Sequence, residues 1–319
     1  MLELVNLSNA SFDTENLLRG RGEVLVEFLR QENLAGVELM LCGPWNERLH
    51  PARYVRGVHL RFWPDWLDFW RGNQNALLET FGTEAAIEEE YGGNTRDAWL
   101  EKWRENIRQA VACKAEYVVF HVSNVRSSEI YARRFAYTSE EVIKATAQLV
   151  NEIAVDLPET CQLLFENLWW PGLTFCNPHH ATILLENISH ANTGFMLDTG
   201  HLMNTNLQLK TETEAVAYIL SLTGQLGSLQ KKIQGMHLHC SLSGQYTKKM
   251  MAVKELRNPL QWNEIMEYIL QVDQHQPFRT DAAKRLVQKL QPAYLIHEFI
   301  QDSYMDWQEK VRQQRKSLS

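Results

Sequence analysis

Residues 194–198 read GFMLD, a short apolar run that ends in a carboxylate, and residues 162–166, QLLFE, repeat the pattern. Each run has the length and apolar content of a buried β-strand. Longer amphipathic stretches with helical periodicity, such as residues 139–155, separate the runs. Alternating strands and helices predict a parallel sheet. The other six runs are Leu2–Leu7, Gly36–Leu41, Gly57–Leu60, Tyr117–His121, Gly235–His239 and Tyr294–Glu298.

Eight strand–helix units in 319 residues predict an α/β fold of the (β/α)8 TIM barrel type, for which about 250 residues is typical. We expect one domain over residues 1–319. The surplus length lies in two long connections, Arg61–Glu116 after strand three and Cys240–Ala293 after strand seven, which we place on the C-terminal side of the barrel. A doubly wound open sheet is the competing fold, but no Gly-x-Gly-x-x-Gly motif follows the first strand.

The composition is that of a soluble globular protein, with 45% apolar and 22% charged residues. No apolar run approaches the roughly 18 residues that a membrane span needs, and the N-terminus lacks the pattern of a signal peptide. We therefore expect a cytoplasmic protein, either a monomer or a homo-oligomer. The net charge of −7 argues against binding nucleic acid through its phosphates. The tail, Trp307–Ser319, is predicted to be a polar, solvated helix.

Seven of the eight predicted strands carry Asp, Glu or His at or near the C-terminal end. In a barrel these ends converge at the catalytic face. A lone histidine there is more often a hydrogen-bonded rim residue than a ligand, but so many acidic and imidazole groups without matching Lys or Arg would repel one another. A divalent cation (Mn, Zn, Mg or Co) would relieve that repulsion. The residues are Glu38, His59, His121, Glu166, Asp198, His237, His239 and Glu298.

Strand periodicity orders the two histidines of strand seven. His237 and His239 are two residues apart, so both face the barrel interior, and His239 lies about 6–7 Å nearer the rim. Glu166, Asp198 and Glu298 also end their runs, so His239 is predicted to be the metal ligand. His237, one layer deeper, would contact the substrate or orient the other groups.

Two further histidines, His201 and His297, each lie close in sequence to a predicted metal ligand and receive different interpretations. The turn at Gly200 could return His201 to the pocket beside Asp198. His297 points away from Glu298, toward the outer helices, and is predicted to be structural. Residue 301 is Gln, so no His-Glu-x-x-His motif begins at His297.

Together these residues resemble the xylose-isomerase-like barrel superfamily, which includes sugar and sugar-phosphate isomerases and epimerases and phosphodiesterases of the endonuclease IV type. The resemblance extends over all eight strands. It does not separate the activities of the superfamily. The motifs are GVEL at 36–39, His121 after YVVF, Glu166-Asn167, LDTGH at 197–201, His237-Leu-His239 and Glu298.

The resemblance implies metal ligands. Four positions match the shared ligand set: Glu166, Asp198, His239 and Glu298. His201 matches a residue near the substrate or a further metal. His59 and His121 match a pair that supports an additional zinc in the endonuclease branch and often lines the pocket in the isomerase branch.

One departure from the endonuclease branch bears on the choice of activity. That branch has an Asp-x-His motif shortly after strand seven, which completes a third zinc site with the counterpart of His201. Residues 240–251 read CSLSGQYTKKMM, with neither Asp nor His. A trinuclear cluster and DNA repair are therefore not expected, and nucleic acid is an unlikely partner.

Three functions remain open, and the sequence favours the first. It is a metal-dependent isomerase or epimerase of a sugar-like small molecule, in which Glu166 and Glu298 exchange a proton through a metal-stabilised enediolate. His201 and His237 would hold substrate hydroxyls. A lyase would use the same groups.

The second hypothesis is an endonuclease IV-like phosphoester hydrolase with two metals, one of them held by His59, His121 and Glu166. Lys248, Lys249 and Arg257 would receive the phosphate. The third hypothesis is a non-catalytic barrel retained for binding or structure. The nearly complete set of metal ligands argues against it.

Overall fold

The computed structural model describes residues 1–252 and 262–319, with Trp262 described by its backbone alone. Arg257, considered above as a phosphate ligand, lies outside the described residues. Eight parallel strands form a closed barrel in sequence order, and β8 pairs with β1. The predicted (β/α)8 barrel is confirmed. The strands are β1 Leu2–Ser8, β2 Gly36–Met40, β3 Val55–His59, β4 Tyr117–His121, β5 Gln162–Glu166, β6 Thr193–Asp198, β7 Ile233–Leu238 and β8 Tyr294–His297.

Helices surround the barrel, and the two long predicted connections contain several each. Between β3 and β4 lie α2 to α5, and between β7 and β8 lie α10 to α12. The helices are α1 Gly22–Gln31, α2 Trp66–Arg71, α3 Gln74–Phe81, α4 Glu84–Tyr91, α5 Arg96–Ala112, α6 Ser139–Ile153, α7 Pro178–Glu186, α8 Thr199–Met203, α9 Glu212–Gln225, α10 Gly244–Met251, α11 Trp262–Val272, α12 Ala282–Leu290 and α13 Tyr304–Leu318. Among the described residues, no helix has the length and apolar content needed to cross a membrane.

The barrel interior is apolar below and polar above. Leu4, Tyr117, Val119, Leu164, Met196 and Ile296 form a buried inner cluster. The polar strand ends lie on the same alternating face, one step further along their strands. Gly57 leaves the room that Tyr117 needs, because a Cβ at Gly57 would lie 2.1 Å from Cζ of that ring. The apolar layer thus supports a polar layer at the C-terminal rim.

The C-terminal helix α13 packs against the barrel, so the prediction of a solvated tail is wrong. Trp307 and Val311 are fully buried, and Trp307 stacks on Phe28 of α1 with ring centroids 3.7 Å apart. Two arginines of α13 pair with acidic groups at the opposite end of the barrel from the polar rim, Arg312 with Glu32 and Arg315 with Glu3, each at 2.7 Å. The apolar positions, four residues apart, give α13 a buried face despite its polar composition.

His297 has the structural role predicted for it. Its ring is buried, with Nε2 3.4 Å from Glu3 Oε2. Gln314 of α13 donates to its Nδ1 at 3.0 Å. Its side chain therefore joins β8 to β1 and α13.

Candidate metal centre

All eight site residues predicted from the sequence lie in one connected cluster above the barrel core. Strand ends supply most of them, and His201 enters from α8, whose first turn follows Asp198 directly. Three further members, Glu38, Asp273 and His275, were not assigned a role from the sequence. The eight are His59, His121, Glu166, Asp198, His201, His237, His239 and Glu298.

Glu166 lies at the centre, with two imidazoles against each carboxylate oxygen. Oε2 is 3.0 Å from His59 Nε2 and 2.9 Å from His121 Nε2. Oε1 is 3.2 Å from Nδ1 of both His201 and His237. Burial by itself would raise the pKa of Glu166, but the imidazoles, chiefly His121 and His237, hold that pKa well below its usual range. A carboxylate with a donor group on either side of each oxygen has the arrangement of a bridging ligand.

Asp198 joins β6 to α8 and faces two histidines. Its Oδ1 accepts a hydrogen bond from the backbone N–H of His201 at 2.6 Å and so caps α8. Its Oδ2 is 2.9 Å from His239 Nε2. Burial opposes ionisation, but His201 and His239 keep the pKa of Asp198 well below its usual range.

Glu298 lies at the opening of the cluster, where its side chain is 13% exposed. Its Oε2 is 3.4 Å from His237 Nδ1 and 3.6 Å from His239 Nε2, but it has no hydrogen-bond partner among the described residues. Burial raises the pKa of Glu298 well above its usual range, and the charges of Asp198 and Glu166 add to the effect. A buried acceptor oxygen without a hydrogen-bond donor fits a site for a bound cation.

Asp273 and His275 overturn the expectation that the Asp-x-His motif is missing. They follow α11, and Asp273 Oδ2 lies 3.0 Å from His201 Nε2. The His275 ring stacks on His239 at a centroid distance of 4.1 Å. The described helices α10 and α11 lie between β7 and the motif, so residues 240–251, directly after the strand, do not contain it. The sequence Asp273-Gln274-His275 itself was the signal.

The pKa values of Asp273 and His275 are shifted by burial and by the neighbouring histidines, like those of the rest of the cluster. Burial would raise the pKa of Asp273, but His275 and His201 lower it to about 2. Burial lowers the pKa of His275 to about 4. The pair thus offers a carboxylate and a neutral imidazole, which are metal-ligating forms.

The donor atoms divide into overlapping groups, and within each group they lie within 4.8 Å of one another. Among the described residues, no Lys or Arg forms an ion pair with these carboxylates, so only imidazoles and a bound cation can balance their charge. The residues present therefore fit divalent metal ions. The groups are His59, His121 and Glu166; His201, Asp273 and His275; His239, His275 and Glu298; and Glu166, Asp198 and His237.

The second ring nitrogen distinguishes His237 from His239. Both rings lie within 4 Å of Asp198 and Glu298. His237 Nε2, however, is 2.8 Å from Glu38 Oε1, and Tyr117 donates its hydroxyl to Glu38 Oε2 at 2.8 Å. Glu38 therefore holds His237 from the barrel interior, and Tyr117 in turn holds Glu38.

Comparison with known proteins agrees with the fold. The sequence model of the xylose isomerase-like TIM barrel family matches residues 78–313. No curated protein sequence matches the chain.

Several solved structures resemble the chain over nearly its whole length. Endonuclease IV from Thermus thermophilus has a TM-score of 0.55 at 15% identity, covering 100% of this chain and 99% of its own. A putative xylose isomerase from Rhodospirillum rubrum has a TM-score of 0.58 at 14% identity, with 99% of each chain covered. IOLI protein with a bound zinc atom has a TM-score of 0.53 at 12% identity, covering 99% of this chain and 96% of its own. At these identities the likeness shows the shared fold.

Proposed function

The chain belongs to the xylose isomerase-like TIM barrel family, and within it we propose that this protein is a phosphoester hydrolase that works with up to three divalent metal ions. The observation that supports this most directly is the position of Asp273 and His275 beside His201. They add a third group of donors to the two that the strand ends supply. Hydrolysis of phosphoesters is a common task of multi-metal sites.

The donor set suggests how the metals would be held. His59, His121 and Glu166 would hold one ion. Glu166, Asp198, His239 and Glu298 would hold a second, because His239 Nε2 lies 2.9 Å from Asp198 Oδ2 and 3.6 Å from Glu298 Oε2. The third group is His201, Asp273 and His275. Every group contains imidazole, and two contain a pair of imidazoles, so we propose zinc ahead of manganese, magnesium or cobalt.

Bound divalent cations would neutralise charge on phosphoryl oxygens and lower the pKa of water. The protein's own contribution is to order the donors and to limit access. His121, His275 and Glu298 are the partly exposed members, with side chains 13–14% accessible. We infer that the substrate phosphate approaches on this side. The floor of the site, which includes Glu166 and His237, is fully buried and excludes water from below.

The environment of Glu166 favours hydrolysis over isomerisation. A sugar isomerase needs a carboxylate that is free to take a proton from carbon. Both oxygens of Glu166 are already flanked by imidazoles, and the side chain is fully buried. Glu166 is thus suited to bridging metals and poorly placed to act as a base.

An isomerase or epimerase acting on a sugar-like small molecule remains the second candidate. What supports it is the position of Glu298 at the opening of the site, with its side chain 13% exposed and its Oε2 without a hydrogen-bond partner among the described residues, where a carboxylate can reach a substrate carbon. In this case a single metal ion would be enough.

Metal content and product identity together test the proposal. We expect two or three zinc ions per chain by elemental analysis and hydrolysis of bis(4-nitrophenyl) phosphate. Asp198→Asn should lose at least one ion and most of the activity, while His179→Ala, which alters an exposed histidine of α7, should change neither. One ion per chain, no ester cleavage and interconversion of ketose and aldose substrates would instead establish the isomerase.

A further inference from the structure

Arg133, in the connection between β4 and α6, is a partly buried cation whose hydrogen bonds within the described part of the chain go to backbone carbonyls. Its Nη1 donates to the carbonyl of Asn204 at 3.1 Å and its Nη2 to the carbonyl of Trp169 at 3.4 Å. Among the described residues, no carboxylate forms an ion pair with it, and burial lowers the pKa of Arg133. A guanidinium carries five N–H donors, so three of them have no acceptor among the described residues. Burying a charge against neutral partners alone is costly.

A second unused donor lies beside it. The Asn204 side chain is buried, at 2% exposure, and its Oδ1 accepts a hydrogen bond from Ser243 Oγ at 2.9 Å. Its Nδ2 has no hydrogen-bond partner in the described part of the chain. A buried amide N–H₂ group without an acceptor costs about 1–3 kcal/mol, which an anionic ligand would recover.

The amino end of α10 meets the same amide. Ser243 is the N-cap residue of α10, and no side chain caps the helix. The first N–H groups of an α-helix have no partner within it, and the helix dipole there favours negative charge. Three kinds of donor therefore surround the Asn204–Ser243 contact.

This donor cluster adjoins the metal centre. Asn204 follows α8, three residues beyond His201. Ser241, two residues before Ser243, donates its hydroxyl to Asp273 Oδ1 at 3.1 Å. The Trp169 ring, next to the carbonyl that Arg133 contacts, lies 5.1 Å from the His201 ring. A molecule bound at the metals can reach these donors along the same rim.

We propose that Arg133, the Asn204 amide and the N-terminus of α10 bind a second phosphate group of the substrate. The substrate class is then a phosphoester that carries another phosphate away from the scissile bond. This inference rests on the proposed hydrolase function. It accounts for donors that the metal centre does not use.

Paired substrates test this subsite kinetically. One is bis(4-nitrophenyl) phosphate, and the other is a 4-nitrophenyl phosphodiester whose second arm ends in a phosphate monoester. Arg133→Met should lower kcat/KM for the second substrate about 10- to 100-fold, mainly through KM, because one charged hydrogen-bonding group is removed. Hydrolysis of the first should stay within about twofold. Arg134→Met, the neighbouring exposed arginine, is the matched control and should change neither substrate.

An equal effect of Arg133→Met on both substrates, or no effect on either, would overturn the subsite while leaving the hydrolase proposal in place. Selenate soaked into crystals of the zinc-loaded protein gives a readout that needs no turnover. We expect a selenium anomalous peak within hydrogen-bonding distance of Arg133 and Asn204, and its loss in Arg133→Met and in Asn204→Asp. A peak at the metals only, or none, contradicts the subsite. Selenate bound there in a protein that cleaves neither ester would support the anion site and refute the hydrolase.

Discussion

Glu38 and Tyr117 fix the direction in which the His237 ring presents its other nitrogen. The chain of contacts runs from the Tyr117 hydroxyl to Glu38, then to His237 and on to Glu166. Groups that orient a metal ligand through a hydrogen bond typically contribute 10- to 100-fold to metal affinity or activity. The chain therefore gives Glu38 a positioning role.

We expect Glu38→Gln to lower kcat about tenfold with little change in KM or in metal content, because a neutral amide holds His237 less firmly. Tyr117→Phe removes only the more distant bond and should have a smaller effect. Steady-state kinetics with metal analysis distinguish the outcomes. Loss of metal from Glu38→Gln would place Glu38 among the groups on which metal binding depends.

The two histidines of β7 should respond differently to truncation. His239 Nε2 faces Asp198, so His239→Ala should lose a metal ion. His237, which is anchored by Glu38, should keep the metals when changed to Ala but lose turnover, because the group predicted to contact the substrate or orient the other residues is removed. A metal-bound structure with His237 coordinated and His239 beyond about 4 Å would reverse this order.

Residue-level prediction from the sequence succeeded where strand periodicity applies. Glu166, Asp198 and Glu298 end apolar runs, so their positions follow from the strand repeat. Asp273 and His275 were not predicted as site residues, because they lie on no strand and the described helices α10 and α11 lie between them and β7. Glu38 was recognised as a strand-end residue, but its contact with His237 depends on pairing across the barrel, which a single sequence does not give.

At the scale of elements, α13 is attached to β1 through Glu3. The hydrogen bond with His297 and the ion pair with Arg315 outweigh burial and lower the pKa of Glu3 from 4.5 to about 2. A carboxylate whose pKa falls on folding stabilises the protein fully above its unfolded pKa and loses that contribution as the pH falls toward the folded value.

We therefore expect Glu3→Gln to be less stable than the parent protein at pH 7, with the difference shrinking between about pH 4.5 and pH 2. Urea unfolding at several pH values measures it. Glu15→Gln, an exposed glutamate, serves as the control and should stay close to the parent protein throughout. A difference that does not depend on pH would mean that Glu3 acts through packing and not through its charge.

The sequence predicted the positions of the eight strands but not the burial of the C-terminal helix α13. The eight apolar runs correspond to the eight strands because a buried parallel strand reads as a continuous apolar stretch. In α13 the many charged residues obscured Trp307 and Val311. The burial of Trp307 depends on Phe28 of α1, on which it stacks, and composition does not reveal that partner.

For the whole molecule, the metal centre is expected to add to global stability. It joins groups from β3 through to the residue after β8, from α8 and from the segment that follows α11. Ligands that bind only the folded state add about 4 kcal/mol at a concentration 1,000 times Kd, and each kcal/mol shifts Tm by about 2–4 °C or less at this chain length. We expect a chelator to lower Tm by several degrees.

Differential scanning calorimetry with and without chelator measures the shift. In Asp198→Asn, which should already lack an ion, the chelator should have a clearly smaller effect. An unchanged Tm in the parent protein would mean that the cluster is stabilised by its imidazoles alone.

The choice between an isomerase and a hydrolase depends on contacts across the whole molecule. The sequence predicted a metal site but favoured an isomerase, because the ligand list by itself fits both chemistries. A hydrolase is supported by distances that no single segment contains, such as those from Glu166 to four histidines on β3, β4, β7 and α8.

The seam between β1 and β8 has a consequence for synthesis on the ribosome. Leu2–Val5 pair with residues 294–297, and Gln314 and Arg315 of α13 bond to either side of that seam. Until β8 emerges from the ribosome, β1 has an unpaired edge, which is a site for aggregation. Glu298 also arrives only at this point. The nascent chain therefore completes its metal-binding groups in the same step that seals the barrel, and a prematurely terminated product would have neither.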